Sequence, residues 1–230
     1  MANQNLEVLE KNIGFTFQNK DLLKEALTHR SYINENPSWS LPHNERLEYL
    51  GDAVLELMVT EETFHAFPEF EEGKLTLLRA ALVNYQFLAK TALEFELQNF
   101  LFLSRGEARD TEKAKEVILA NAIEALIGAI YLDQGFEVAH TFVSRFVTSK
   151  VNDVLREGTY KDAKSSLQEI VQEKQKVTPT YKILEEEGPD HKKIFKAGVF
   201  VGDKKIGEGE GLSKQEAELS AAKNALKGLV

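Results

Sequence analysis

Apolar residues recur at spacings of three and four along the first two thirds of the chain. The periodic runs are 22–27, 47–58, 74–95, 115–132 and 136–155. Such spacing places apolar side chains on one face of a helix, where they can pack against other helices. The pattern therefore predicts an all-α domain over residues 1–155.

The spacing changes after residue 155. A helical stretch from 162 to about 174 is followed by alternating, β-like runs at 180–186, 194–201 and 204–210. Ser213 then precedes a final helix and can cap it, with Glu216 three residues further on. The pattern predicts a second, α-β-β-β-α domain over residues 162–230, joined to the first by a linker at 156–161.

Composition excludes several classes of protein. The chain has no Cys, so it can form neither disulfide bonds nor thiolate metal sites. The first residues lack a basic region followed by an apolar run, which predicts no signal peptide. The longest apolar stretch is short and is interrupted by Asn121 and Glu124, which argues against a membrane span. We expect a cytoplasmic protein without a membrane partner.

The net charge of −9 looks unfavourable for binding nucleic acid. Residues 1–155, however, hold 14 Lys and Arg against 24 Asp and Glu, whereas residues 156–230 hold 14 against 13. Basic residues are therefore denser in the second domain. The charge of the second domain therefore permits it to bind nucleic acid.

One predicted helix carries three stacked acids. Glu45, Glu48 and Asp52 are three and four residues apart, so they share one helix face and repel one another. A solvated acidic face is the ordinary interpretation. Gly51 weakens it, because a glycine inside a helix costs about 1 kcal/mol relative to alanine and indicates close packing against a neighbour.

A second predicted helix, 117–130, is apolar almost all round, and its polar side chains are Asn121 and Glu124. A carboxylate in such a helix is costly unless it pairs with a cation or binds a metal. Arg46 and Arg79 are the candidate ion-pair partners. Oxygen ligands alone suit Mg²⁺ or Mn²⁺ rather than zinc, and two such ions can activate a water and stabilise the leaving oxygen of a phosphodiester.

Three segments resemble a known family. Residues 44–52, NERLEYLGD, are similar to the nine-residue signature of ribonuclease III, and residues 26–32, ALTHRSY, to the motif that precedes it. Residues 120–129, ANAIEALIGA, resemble the second acidic helix of that family. The resemblance covers essentially the whole chain. It implies a homodimeric, metal-dependent endonuclease that cuts double-stranded RNA into products with 5′-phosphate and 3′-hydroxyl ends.

The resemblance also implies roles for the acidic residues. Asp52 and Glu124 occupy the central catalytic positions, and Glu45 lies at the edge of the same cluster. Glu48, Asp52, Asn121 and Glu124 occupy the metal-ligand positions, for Mg²⁺ with Mn²⁺ as a substitute. No small-molecule cofactor is expected. The implied substrates are ribosomal RNA precursors and structured messenger or small RNAs.

Asn121 departs from the family pattern, which usually has Asp at this position. Its side-chain carbonyl can still bind a hard cation, but one negative charge is lost and the affinity for metal should fall. Two interpretations remain open. Either the chain cleaves RNA with a greater demand for metal, or it is a double-stranded RNA-binding protein whose cleavage is weakened or lost.

Tyr49 occupies the position whose aromatic ring, usually Phe, inserts into the partner subunit of the family's dimer. The alternative is an ordinary core aromatic residue, whose hydroxyl group would then need a hydrogen-bond partner. The sequence leaves both interpretations open.

Residues 162–230 resemble a double-stranded RNA-binding domain, which recognises the shape of A-form RNA. Gln168, Glu169 and His191 match positions that meet 2′-hydroxyl groups in the minor groove. Lys214 matches a phosphate-binding position, next to Gln215 where the family often has a second lysine. A loop histidine and a solvated lysine are the alternative interpretations.

One rival function comes from a different class of protein. Glu62 and His65 form a Glu-x-x-His pair of the kind found in di-iron carboxylate oxidoreductases. That fold needs the pair twice, and the sequence has it once.

Overall fold

The computed structural model describes residues 5–109, 111–158, 163–189 and 193–229. The chain divides into two compact units, Met1–Tyr160 and Lys161–Val230. The predicted domain limits and the linker at 156–161 stay predictions. Within the described parts of the chain, no helix combines the length and apolarity needed to cross a membrane.

The first unit is helical, as its periodicity predicts. Its helices are α1 (Leu6–Ile13), α2 (Lys20–Ala26), α3 (Arg30–Glu35), α4 (Glu45–Ala66), α5 (Glu72–Val83), α6 (Tyr85–Glu94), α7 (Glu112–Gln134), α8 (Phe136–Phe146) and α9 (Val151–Glu157). Helices α4 and α7 pack along each other, and α7 also contacts α2, α6 and α8. Consistent with its apolar sequence, α7 is buried over most of the stretch from Leu119 to Ile130.

Two of the predicted helical runs are each divided in the structure. The run 74–95 breaks at Asn84, whose backbone is extended (φ −72°, ψ 155°) and whose side chain accepts the N–H of Phe87. The side-chain oxygen of Asn competes well for a free N–H at a helix start, so Asn84 ends α5 and caps α6. The run 136–155 ends as a helix at Phe146 and passes through a 3₁₀ turn, Thr148–Lys150, before α9.

Glu62 of α4 is a structural residue that joins α4 to α8. Its carboxylate accepts hydrogen bonds from the hydroxyl groups of Ser144 and Thr148, and it lies 3.1 Å from Nε2 of His140. His140, Ser144 and Thr148 are four residues apart along the chain, so their side chains meet the same carboxylate. Glu62 is therefore engaged by α8 and does not pair with His65 in a metal site, which argues against the di-iron alternative.

The second unit has the predicted α-β-β-β-α order. Its elements are α10 (Ala163–Gln175), β1 (Thr180–Glu187), β2 (Ile194–Val201), β3 (Lys204–Gly211) and α11 (Lys214–Leu229). The strands form an antiparallel sheet in the order β1-β2-β3. Helix α11 packs on this sheet through a row of alanines against the apolar side chains of β2.

The start of α11 is capped as the sequence predicts. The Ser213 hydroxyl accepts the N–H of Glu216 at 3.1 Å, and the Glu216 carboxylate accepts the N–H of Leu212 at 2.8 Å. These bonds satisfy backbone donors that the helix itself leaves free. They set the position of Lys214, the first residue of the helix.

Candidate active site

Two glycines bring the backbones of α4 and α7 into direct contact. A Cβ on Gly51 would lie 1.8 Å from the carbonyl oxygen of Glu124, and a Cβ on Gly128 would lie 2.3 Å from that of Leu47. No other residue fits at this distance, which explains why a glycine lies inside each helix. The close approach places the acidic face of α4 against the polar positions of α7.

This contact brings Glu48 and Asp52 of α4 together with Asn121 and Glu124 of α7. The amide of Asn121 donates a hydrogen bond to the carboxylate of Glu48. The charges of Asp52 and Glu48 both act on Glu124. The four residues that the resemblance assigns to the metal are therefore neighbours in the structure.

The electrostatics of this cluster are unfavourable for three ionised acids. Burial, together with the negative charges of Asp52 and Glu48, raises the pKa of Glu124 to about 8. Burial likewise raises the pKa of Glu48, as does the charge of Glu45, while the hydrogen bond from Asn121 opposes the rise. Among the described residues, no positive charge acts on Glu48 or Glu124.

The prediction that Glu124 pairs with Arg46 or Arg79 is wrong for the described part of the chain. The charged groups that shift the pKa of Glu124 are both negative. Arg79 instead donates to the hydroxyl of Thr60 at 3.0 Å. Arg46 acts on Glu25, where it opposes the rise in pKa that burial causes.

The donor set fits a hard divalent cation. It offers carboxylate oxygens and the amide oxygen of Asn121, and a bound cation would relieve the repulsion that raises the pKa of Glu124. Among the residues that the structure describes, however, no three His, Cys, Asp or Glu side chains form a ready metal-binding group.

Glu45 lies in the first turn of α4, at the edge of the cluster. Its carboxylate oxygens are 3.6 Å from Nη1 of Arg30 and 3.8 Å from Nδ1 of His43. Its charge also acts on Glu48. Glu45 thus lies between the acidic cluster and two basic side chains that the sequence analysis did not single out.

Asn44 holds the start of α4 in place. Its backbone N–H donates to the carbonyl of Thr28 at 2.9 Å, and its side-chain amide donates to the carbonyl of Ala26 at 3.3 Å. Leu27 in turn accepts the N–H of Phe102. The segment 26–32 therefore acts as a support for the acidic helix. In the sequence, Asn44 is the polar residue directly before a predicted helix and the first residue of the 44–52 segment.

Tyr49 is not a core aromatic residue, because 84% of it is exposed in this chain. Leu57 and Phe64 of the same helix are also large, apolar and exposed. Tyr49, Ala53 and Leu57 are four residues apart, so they lie along one face of α4, with Phe64 two turns further on. We call these four residues the α4 apolar stripe. Clustered apolar exposure of this kind marks an interaction surface.

The candidate RNA-binding residues of the second unit lie on its surface where the structure describes them. Gln168 and Glu169 are exposed on α10. Nζ of Lys214 lies 3.2 Å from Oε1 of Glu186, so Lys214 is an ion-paired residue rather than a freely solvated one. His191 lies outside the described residues.

A helical unit with an acidic, oxygen-rich site, followed by an α-β-β-β-α unit, is the arrangement that the resemblance predicts for a nuclease with an RNA-binding domain. Residues 19–151 match the ribonuclease-III-like family, and residues 163–229 match the double-stranded RNA binding motif.

Relatives and solved structures lead to the same family. Ribonuclease 3 of Carboxydothermus hydrogenoformans is 46% identical over 227 residues, which are 99% of this chain and 97% of that protein. Ribonuclease 3 of Desulforamulus reducens is 47% identical over 96% of this chain and 90% of that protein. The nuclease domain of ribonuclease III from Campylobacter jejuni is a similar structure, with a TM-score of 0.57, 45% identity and coverage of 63% of this chain and 97% of that one.

The chain belongs to the ribonuclease III family. It is an endoribonuclease of the metal-dependent class that acts on double-stranded RNA. The resemblance inferred from the segments 26–32, 44–52 and 120–129 is confirmed, as is the fold class of a helical nuclease domain followed by an α-β-β-β-α domain.

Proposed function

We propose that the chain hydrolyses duplex RNA at the cluster of Glu48, Asp52, Asn121 and Glu124, with Mg²⁺ as its metal and Mn²⁺ as a substitute. The observation that supports this proposal is the contact between α4 and α7 at Gly51. It gathers oxygen donors and negative charge without a facing cation among the described residues. Such a site favours a divalent cation with oxygen ligands.

The residues have separate roles in this proposal. Asp52 and Glu124 hold and orient the catalytic centre, and Glu48 completes the donor set while its position is fixed by the amide of Asn121. Glu45 orients the RNA backbone at the edge of the site, with Arg30 beside it to meet phosphate. When bound, divalent cations would activate a water and stabilise the leaving oxygen, which yields 5′-phosphate and 3′-hydroxyl ends.

Asn121 has two functions in this proposal: its amide nitrogen donates to Glu48, and its amide oxygen would serve as a ligand of the cation. The neutral amide brings one negative charge fewer than Asp, so we expect cleavage that needs more metal. The second candidate function is double-stranded RNA binding with weakened or lost cleavage. The amide at position 121 favours it, whereas the acids Glu45, Glu48, Asp52 and Glu124 favour cleavage.

A cleavage assay separates these two functions. Duplex RNA is incubated with the chain over a series of Mg²⁺ and Mn²⁺ concentrations, beside Glu124→Gln and the matched control Glu116→Gln, which changes an exposed acid of the same helix. We expect cutting by the wild-type chain and the control and none by Glu124→Gln. Equal cutting by Glu124→Gln would contradict the proposed site. Binding of RNA without cleavage at every metal concentration would support the second function.

We propose that the α4 apolar stripe is the contact surface of a homodimer. A second copy of the chain would cover Tyr49, Leu57 and Phe64, which are otherwise exposed to water. The Campylobacter jejuni structure is described as showing flexibility in a region involved in dimer formation of its nuclease domain. A dimer would join two cleavage centres in one particle.

The remaining assignments concern RNA selection. We propose that Gln168, Glu169 and His191 meet 2′-hydroxyl groups and that Lys214 meets phosphate, so that binding depends on duplex shape rather than base sequence. The proposed nuclease domain is 1–155 and the proposed RNA-binding domain is 162–230. Cytoplasmic precursors of ribosomal RNA and structured messenger or small RNAs are the proposed substrates.

A further inference from the structure

The acidic end of β1 contacts two lysines of the second unit. Oε1 of Glu186 lies 3.2 Å from Nζ of Lys214, and Oε2 lies 3.2 Å from Nζ of Lys193. Lys193 directly precedes β2, and Lys214 is the first residue of α11. A single carboxylate therefore bridges two ammonium groups that are far apart in sequence.

The sheet explains why these groups meet. Glu186 pairs with Phe195 across β1 and β2, and directly opposed residues point to the same face of a sheet. Phe195 belongs to the face that α11 covers, and its ring centre lies 5.7 Å from Nζ of Lys214. The Lys214 side chain is 60% exposed, so its ammonium group remains open to an anion from solution.

We propose that Lys193 and Lys214 form a two-lysine phosphate site and that Glu186 fills this site while RNA is absent. The inference rests on the proposed binding of duplex RNA by this unit. A carboxylate and a phosphate both present charged oxygens to ammonium donors, so each can replace the other. Gln215, which follows Lys214, is uncharged, and Lys193 supplies the second positive charge from another element.

Glu186 is well suited to act as an internal competitor. Hydrogen bonds from Lys214 and Lys193 lower the pKa of its carboxyl group, so it stays ionised throughout the neutral range. An RNA phosphate competes with this carboxylate for the two ammonium groups. Glu186 therefore reduces both the affinity for RNA and the number of counterions that binding releases.

Binding assays on the full-length chain test the inference. A duplex of about 16 base pairs, the span of one such domain, is titrated without divalent metal so that no cleavage occurs. The variants are Glu186→Gln, Lys193→Gln and the matched control Glu187→Gln, which removes the same charge from the adjacent residue on the opposite face of β1. Thermal unfolding of each variant verifies that it is folded.

We expect Glu186→Gln to bind RNA roughly twofold to fivefold more tightly than both the wild type and Glu187→Gln, the range set by the strength of exposed ion pairs. For Glu186→Gln, the plot of log K for RNA binding against log salt concentration should be steeper than that of the wild type by about one unit. Lys193→Gln should bind RNA more weakly, and its plot should be shallower by about one unit.

Other results would overturn the inference. If Glu186→Gln and Glu187→Gln bind equally well, Glu186 is not a competitor. If Lys193→Gln binds like the wild type, there is no two-lysine site. A wild-type chain that does not retain duplex RNA at all would overturn the proposed RNA-binding function, and this inference with it.

Discussion

Gly51 of α4 lies directly against Gly128 of α7: a Cβ on Gly128 would be 3.1 Å from the backbone nitrogen of Gly51. This pair sets the distance between the two helices that carry the proposed catalytic residues. An added methyl group at either position would force the helices apart. The site therefore depends on two residues that carry no functional group.

Substituting either glycine tests this dependence. We expect Gly51→Ala and Gly128→Ala to lower the free energy of unfolding by about 1–3 kcal/mol, the usual cost of overpacking, and to reduce cleavage. The control is Gly73→Ala in α5, where an added Cβ meets nothing within 4 Å. Because alanine is the better helix former, this control should be neutral or slightly stabilising in chemical denaturation. Wild-type stability of Gly51→Ala would contradict the close contact.

Asn121→Asp should lower the Mg²⁺ concentration needed for half-maximal cleavage by several-fold, because a charged ligand replaces a neutral one. The same change should lower the stability of the metal-free chain, since it adds a negative charge beside Glu48 and Glu124. Asn152→Asp, an exposed position in α9, is the control for net charge. Identical metal dependence of wild type and Asn121→Asp would show that residue 121 does not influence the metal.

The pKa of Glu124 predicts how the stability of the metal-free chain depends on pH. Because its pKa is about 8 in the folded chain against an ordinary value of 4.5, the folded state keeps this proton longer than the unfolded state. Its contribution to stability is complete below pH 4.5 and is lost progressively as the pH rises to about 8.

Glu124→Gln removes this pH dependence. Melting temperatures in EDTA should therefore diverge with rising pH, so that Glu124→Gln is the more stable protein at pH 9 and shows little advantage at pH 5. Glu116→Gln should follow the wild-type profile, because Glu116 is exposed on the same helix. Parallel profiles for wild type and Glu124→Gln would contradict the raised pKa.

Tyr49→Asp should convert the proposed dimer into monomers, because it places a charge in the α4 apolar stripe. Anchoring aromatic residues often contribute 2 kcal/mol or more to an interface, so we expect the dissociation constant to rise by about thirtyfold or more. Sedimentation equilibrium measures this change. Tyr85→Asp, a less exposed tyrosine on α6, is the control. A wild-type chain that sediments as a monomer at micromolar concentration would exclude the dimer.

Features that depend on neighbours along the chain could be predicted from the order of the amino acids. Helical periodicity predicted an all-α first domain, and alternation predicted β1, β2 and β3 to within one residue of their observed ends. Helix geometry alone placed Glu45, Glu48 and Asp52 on one face. Ser213 and Glu216 predicted the start of α11, because a helix cap is a local interaction.

Contacts between residues that are distant along the chain became known from the folded structure. From the sequence, either an arginine or the acids of α4 could have been the neighbours of the Glu124 carboxylate. The glycine contact between α4 and α7 places the acids of α4 beside it. Periodicity did not reveal that Tyr49 is exposed or that Glu186 bridges Lys193 and Lys214. These relationships join elements distant in sequence, and they depend on packing distances and burial that local residue patterns do not encode.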